Sequence, residues 1–255
     1  MEPMWPTALS EAVLAALKIL GLLLGGLLAS FSGRIAWRAS GGRRWRMGAL
    51  CLAAAAATAG GLYLFSCEIG WRIHHAYGEE AFANDNFEAA VTLLEQALAW
   101  RDDPDTRARL ARALIAVGNA ERARALLEEN LRRRGEATPF EAYYLGLLCL
   151  AQRRFEEGLG WLERAETDLE VGWNARLLLG IHAVDQGRTD QARVHLAPFA
   201  AMPPTSPDHA YVAAAIALAD GRADEAERLI ASFGAGPLPA LWQARFQRLR
   251  ERLPR

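Results

Sequence analysis

Two long apolar runs dominate the first seventy residues, and neither shows the polar face of a helix on a globular surface. The first run covers residues 12–31, where Lys18 and Ser30 are the polar residues, and the second covers residues 47–66 without a charge. Each has the length of about 20 residues that a helix needs to cross the hydrocarbon core of a bilayer. The pattern predicts that residues 1–70 form a membrane anchor of two spanning helices.

A cleaved signal peptide is the main alternative for the first run. Such a peptide begins with a basic segment, whereas residues 1–11 contain Glu2 and Glu11 and neither Lys nor Arg. The first run is therefore predicted to be retained as a membrane span.

The connector between the two runs, residues 32–46, sets the predicted orientation. It contains Arg34, Arg38, Arg43, Arg44 and Arg46. Short basic loops stay on the cytoplasmic side, so both termini and the rest of the chain are expected in the periplasm. All but one of the 29 basic residues are arginines, a bias typical of GC-rich bacterial coding. We therefore expect a two-pass protein of a bacterial inner membrane.

Small residues recur at every fourth position on both predicted spans. They are Gly21, Gly25 and Ala29 on the first span, and Ala53, Ala57 and Gly61 on the second. Such stripes let helix backbones approach closely in lipid. Two interpretations stay open: the spans pack on each other, or the stripes form a docking face for another membrane protein.

The remainder of the chain repeats itself. Small residues stand at Ala90, Ala123, Gly158, Ala192 and Ala226, in steps of 33, 35, 34 and 34. A second small residue lies twelve positions before each of these: Gly78, Ala111, Gly146, Gly180 and Ala214. A large apolar residue follows four positions after: Leu94, Leu127, Leu162, Leu196 and Ile230. This pattern predicts pairs of closely crossing helices, with turns at Gly118, Gly187 and Gly221.

The repeats give an all-α domain, because no alternation of the strand type occurs between Trp71 and Gly236. Five units are predicted over residues 71–236: about 71–103, 104–138, 139–172, 173–206 and 207–236. Residues 237–255 contain apolar residues at helical spacing and are predicted to be a capping helix that shields the last unit. The second span should continue into the first unit as one helix, although Gly70 weakens that expectation.

This repeat resembles the tetratricopeptide repeat in its 34-residue step and its small residues on both helices. The resemblance implies a superhelical protein-binding scaffold without catalysis, whose first helices line a concave groove. Projected onto this sequence, the groove contains Phe82, Arg112, Ile115, Phe140, Tyr143, Leu147, Leu150, Leu177, Ile181, Val184 and Tyr211. Its centre is apolar and aromatic, a character that suits the apolar face of a helix or an extended chain.

No candidate for catalysis emerges from the sequence. The five histidines form no metal-binding motif, and no glycine-rich phosphate loop precedes a helix. His75 and Glu79 lie four apart on one predicted helix, but two ligands are too few for a metal site. A net charge of -1 argues against nucleic acid as a partner. We therefore predict a protein that is not an enzyme, needs no metal or cofactor, and has no small-molecule substrate; its partners are other proteins and membrane lipid.

Two functional hypotheses follow from this layout. The first is a periplasmic scaffold that gathers exported proteins for assembly; its topology resembles that of the two-span cytochrome c maturation factor with a periplasmic repeat domain. The alternative is a structural subunit of an inner-membrane complex that makes or exports polysaccharide, similar to the repeat protein of Pel systems. The groove would carry the first function, and the membrane stripes the second.

Overall fold

The computed structural model describes residues 43–234 and 238–253, together with residues 15, 16, 19, 21, 23, 26, 27 and 30. The described residues between 15 and 30 are helical. Most of the first predicted span and most of the arginine-rich connector lie outside the described residues. So do four of the predicted anchor residues: Gly25, Ala29, Arg34 and Arg38.

Within the main described ranges the fold is helical, with eleven α-helices, one short 3₁₀ turn and no strand, as the periodicity predicts. The helices are α1 (Arg43–Ala83), α2 (Phe87–Trp100), α3 (Pro104–Ala116), α4 (Ala120–Arg134), α5 (Pro139–Ala151), α6 (Phe155–Ala165), α7 (Gly172–Asp185), α8 (Thr189–Leu196), α9 (Pro207–Ala219), α10 (Ala223–Gly234) and α11 (Ala240–Arg250). The 3₁₀ turn, Ala197–Phe199, follows α8 directly. The chain divides into two compact units, residues 1–130 and 131–255.

Helix α1 is continuous over 41 residues and joins the second apolar run to the first repeat. The expected continuity is confirmed, but the predicted connector is too long, because Arg43, Arg44 and Arg46 lie inside this helix. Gly70 does not interrupt it. A Cβ at this position would lie 2.6 Å from Cδ2 of Trp100, so the glycine is required by the close approach of α2.

One face of α1 packs against the rest of the chain from Ala55 to Gly78. Its buried or half-buried positions are Ala55, Ala59, Leu62, Ser66, Gly70, His74 and Gly78. Gly21 packs against this face, where its Cβ would lie 3.3 Å from Cβ of Leu62. Ala53, Ala57 and Gly61, the predicted stripe of the second span, are exposed instead. Residues 53–57 are all alanine, so small side chains lie on every side of the helix and cannot indicate which face packs.

The predicted pairs of small and large residues form the centre of each helix pair. All fifteen of the small and large residues named for this pattern are buried. A Cβ on Gly78 would lie 2.7 Å from Cγ of Leu94, and one on Gly180 would lie 3.1 Å from Cδ1 of Leu196. The small residues are thus needed because a leucine from the partner helix occupies the space above them.

The turn inside each helix pair has the same geometry in all five repeats. Its central residue adopts a left-handed conformation: Asp85, Gly118, Arg153, Gly187 and Gly221, with φ of 58, 81, 61, 73 and 74°. The N–H of the next residue donates to the carbonyl oxygen five positions earlier, over 2.8–2.9 Å in each case. This is the hydrogen bond of a Schellman motif. The glycines predicted at three of these turns are confirmed, and the structure adds the two turns that lack glycine.

Three of the first helices begin with the same short signal, a capping side chain followed by proline. The side-chain oxygens of Asp103, Thr138 and Ser206 each accept the N–H three residues later, and proline occupies the next position. This combination satisfies an otherwise unpaired helical N–H and fixes φ for the first turn. These three repeats therefore start where the sequence places a polar residue before proline.

Helix α11 covers the last repeat of the second unit. Its buried residues Phe246 and Leu249, with the partly buried Trp242, belong to one apolar core with residues of α7, α9 and α10. The rings of Tyr211 and Trp242 are 5.9 Å apart. This position fits the capping role predicted for residues 237–255.

Candidate protein-binding site

The predicted inner faces of the first two repeats meet in the first unit. Glu79 on α1 accepts hydrogen bonds from Arg109 and Arg112 on α3, with N–O distances of 3.3 and 2.7 Å. The guanidinium of Arg112 also lies over the Phe82 ring, 3.8 Å from its centroid, a favourable cation–π geometry. Ile115, one turn further along α3, is half-buried. Glu79, Phe82 and Arg112 are therefore in contact with one another, and α1 and α3 are joined by ion pairs as well as by packing.

A second polar cluster lies at the start of α3. The indole N–H of Trp71 donates to the Thr106 hydroxyl oxygen over 2.8 Å, and that hydroxyl donates to Asp103 over 3.0 Å. Nδ1 of His75 lies 3.0 Å from the same hydroxyl oxygen. Because the Thr106 proton is used on Asp103, the short contact requires Nδ1 of His75 to carry its own proton. His75 and Glu79 therefore both find their partners on α3.

The role of this cluster was only partly predictable. Asp103 is recognisable as a cap from its position before Pro104, and its side chain accepts the N–H of Thr106. Arg101, whose guanidinium lies 4.2 Å from the Trp71 ring and 2.9 Å from Glu68, carries no local sequence signal. Its partners come from a helix about thirty positions away, a separation that local pattern cannot reveal.

In the second unit the predicted groove residues divide into accessible and buried groups. Tyr143, Leu147 and Leu150 on α5 are half-buried. Burial raises the pKa of the Tyr143 hydroxyl above its usual value. Phe140, at the start of the same helix, is buried against Tyr144, with ring centroids 4.9 Å apart. The open part of this face is therefore the middle and end of α5.

The remaining predicted groove residues do not line open space. Leu177, Ile181, Val184 and Tyr211 are 3–5% exposed and lie in the core that includes α11. The prediction of a groove is corrected at these positions, because the repeat pattern gives the direction of the first helices but not the closeness of the capping helix.

Tyr211 and Asp185 form a hydrogen bond within this region. The Tyr211 hydroxyl donates to Asp185 over 2.8 Å, and Arg245 of α11 donates to the same carboxylate over 2.6 Å. The pKa of Tyr211 is raised, first by burial and then by its hydrogen bond to Asp185. Helix α11 is thereby joined by charge to the end of α7, and Tyr211 of α9 is hydrogen-bonded to the same carboxylate.

The described residues offer little for metal or covalent chemistry. Among them, no group of three or more His, Cys, Asp or Glu side chains could hold a metal ion. Cys149 is buried and Cys67 is half-buried. In the part of the chain that the structure describes, one stretch, Leu52–Ala83 of α1, is long and apolar enough to cross a membrane, as judged by length and composition.

Comparison with known proteins agrees with the helix-pair architecture. Residues 81–137 match the family model described as Tetratricopeptide repeat. A solved structure of Pseudomonas aeruginosa pilF is 18% identical, with a TM-score of 0.56 over 72% of this chain and 85% of that one. A thermophilic TPR protein of Thermus thermophilus, TTC0263, is 23% identical, with a TM-score of 0.46 over 71% and 99%. Comparison with curated proteins gave no match.

The family match and the pilF fold support a tetratricopeptide repeat protein. At 18% identity the pilF structure shows the fold alone. Domains of this kind bind other proteins and are generally scaffolds without catalysis.

Proposed function

We propose that this tetratricopeptide repeat chain is a membrane-anchored scaffold that holds other proteins at the periplasmic face of a bacterial inner membrane. The observation that carries the proposal is the continuity of α1. Its first half is the apolar run predicted to span the bilayer, and its second half is the first helix of the repeats. A binding domain built onto the end of a membrane helix keeps its partners at high local concentration beside the membrane.

The exposure along α1 supports the anchor. Leu50, Leu52, Leu64 and Phe65 are between 57 and 69% exposed, whereas His74 and Gly78 in the second half of the same helix are buried. A contiguous apolar surface of this kind is rare on a soluble monomer and is typical of a membrane or protein contact. The arginines at the start of the helix would hold that end on the cytoplasmic side.

Each unit offers exported proteins a partner-binding surface of its own, made by its accessible inner-face residues. In the first unit these are Phe82 and Ile115 beside Arg112; in the second they are Tyr143, Leu147 and Leu150. Half-buried aromatic and aliphatic side chains at helical spacing suit the apolar face of a partner helix. This mode of binding would serve an assembly factor, as in the cytochrome c maturation layout.

A topology reporter tests the placement of the repeats. Alkaline phosphatase and green fluorescent protein are fused separately after Arg255 of the full chain in a Gram-negative host. Active phosphatase with a dark fluorescent fusion is expected for repeats in the periplasm. A fluorescent fusion with inactive phosphatase would place the repeats in the cytoplasm and overturn this part of the proposal.

A second candidate function is a structural subunit of a polysaccharide-producing membrane complex. The exposure of Ala53, Ala57 and Gly61 favours it, because this stripe faces away from the packed side of α1. Affinity purification distinguishes the two functions. Tyr143→Asp should release an exported client and leave membrane partners bound if the inner face carries the function, whereas Ala57→Leu should release membrane partners if the stripe does.

A further inference from the structure

The second unit contains a cavity that the repeat pattern does not predict. Helix α8 has only eight residues, against 11–15 for the second helix of every other repeat. Pro198 lies in the 3₁₀ turn that replaces its missing part, because proline cannot continue the α-helical hydrogen bonding. The shortened helix leaves a cavity of about 560 Å³ between α8, the following loop, α9 and α10.

The cavity has an apolar wall and a charged rim. Leu196, Met202, Ile216 and Leu229 contribute to the wall. At the rim, Arg193 and Arg222 both donate to Asp220, over 2.5 Å from Arg193 and 2.9 Å from Arg222, and Arg222 also pairs with Glu225. Both guanidinium groups are about half-exposed, so each keeps further N–H donors for an incoming carboxylate.

A leucine on a neighbouring loop has the complementary character. Leu169, between α6 and α7, is fully exposed and has the highest exposure of any large apolar residue in the described chain. Asp168 and Glu170 flank it. The Asp168 carboxylate accepts the N–H groups of residues 170 and 171 over 2.8 and 2.9 Å, so the loop is held in a shape that projects the leucine.

The loop and the cavity lie on adjacent segments of the same unit. Glu166, three residues before Leu169, contacts Nδ1 of His195 over 2.5 Å. His195 stands on α8 between Arg193 and Leu196, which line the cavity. Both features are present on every copy, so a two-fold axis that brings one copy's Leu169 to the other copy's cavity also makes the reverse contact. A contact of this type closes after two copies.

We propose that two copies of this chain associate by reciprocal insertion of Leu169 into the α8–α10 cavity. The apolar wall would take the leucine side chain, and the arginines at the rim would face the acidic residues of the loop. The proposal concerns the second unit alone and does not depend on the membrane anchor. Two identical insertions form an isologous interface, in which the same surface serves both partners.

Photo-crosslinking of the full chain in detergent micelles tests the proposal. Benzoylphenylalanine replaces Leu169, and ¹⁵N-labelled and unlabelled copies are mixed before irradiation. We expect heavy–light dimers whose adducts map to residues 193–229. Dimers that crosslink elsewhere, or adducts found only within one copy, would overturn the proposal.

Surface variants supply an independent readout by dimer dissociation in light scattering. Leu169→Asp should raise the dissociation constant at least tenfold, and Ala201→Trp, on the exposed loop that borders the cavity, should do the same by filling it. Val194→Asp is the matched control, because Val194 is 68% exposed on α8 and is not among the residues that line the cavity. A monomer at all concentrations, or equal loss in the control, would refute the association.

Discussion

The contact between Gly78 and Leu94 gives the sharpest test of the helix-pair packing. A Cβ at residue 78 would lie 2.7 Å from Cγ and 2.9 Å from Cδ2 of Leu94. Carbon atoms pack best at about 3.5–4.0 Å, so Gly78→Ala must push α1 and α2 apart by about 1 Å. Leu94 is fully buried, so its branched end has no free space to enter.

The expected loss in the free energy of unfolding is the balance of two opposing effects. Overpacking of a core costs about 1–3 kcal/mol, and replacing glycine by alanine inside a helix returns about 1 kcal/mol. Gly78→Ala should therefore lower the free energy of unfolding by about 1 kcal/mol. Gly160→Ala on α6 is the matched control, since no described atom lies within 4 Å of its added Cβ, and it should gain up to about 1 kcal/mol.

Thermal unfolding of the full chain in detergent, followed by circular dichroism, measures the difference. A difference of about 2 kcal/mol in the free energy of unfolding between Gly78→Ala and Gly160→Ala corresponds to a difference of about 4–8 °C in Tm. Leu94→Ala provides a double-mutant cycle, because removal of the leucine should make the added methyl group on residue 78 harmless. Equal melting of the two alanine variants, or no coupling with Leu94, would refute the close crossing of α1 and α2.

Three further predictions concern the turns, the caps and the ion pairs. Arg153→Gly should stabilise the chain by about 1 kcal/mol, because a left-handed conformation is costly for a non-glycine residue. Gly187→Ala should destabilise it by a similar amount for the same reason. Thermal unfolding should therefore show a higher Tm for the first variant and a lower Tm for the second. Thr138→Ala should cost about 1 kcal/mol by loss of the α5 cap, whereas Thr138→Ser should melt like the unaltered chain. The arginine partners of Asp220 lower its pKa, so its ion pairs stabilise the fold above the unfolded value of about 4 and this contribution fades at lower pH. Asp220→Asn should therefore lower Tm at pH 7, with the difference narrowing below about pH 4, and a constant difference would contradict this account.

The sequence was sufficient for the parts of the fold that depend on local spacing. Gly78 and Leu94 illustrate this, because a small residue and a leucine or isoleucine at fixed separation in every repeat imply the same helix crossing five times. The turn at Arg153 was not predictable, since arginine gives no sign of a left-handed backbone; only its equivalence to Gly118 and Gly187 in the neighbouring repeats places it. The sequence was therefore most informative where the packing of the helices depends on side-chain size.

The candidate site was less predictable because it depends on contacts between distant segments. Phe82 and Arg112 meet as their register indicates, but Leu177 and Tyr211 are buried because α11 returns to cover them. The cavity beside Pro198 needed the structure too, since a proline predicts the end of α8 but not the space that remains. Surfaces made by one helix followed from the sequence, whereas those completed by a second segment did not.

The continuity of α1 has a mechanical consequence for the first repeat. At about 1.5 Å per residue, the roughly 17 residues after the predicted span extend roughly 25 Å beyond it. Membrane helices tilt by about 20° on average, and such a tilt would displace the far end of α1 sideways by roughly 9 Å. If α1 spans the bilayer as proposed, changes in bilayer thickness or in the partners of the span would become changes in the tilt of the first repeat relative to the membrane.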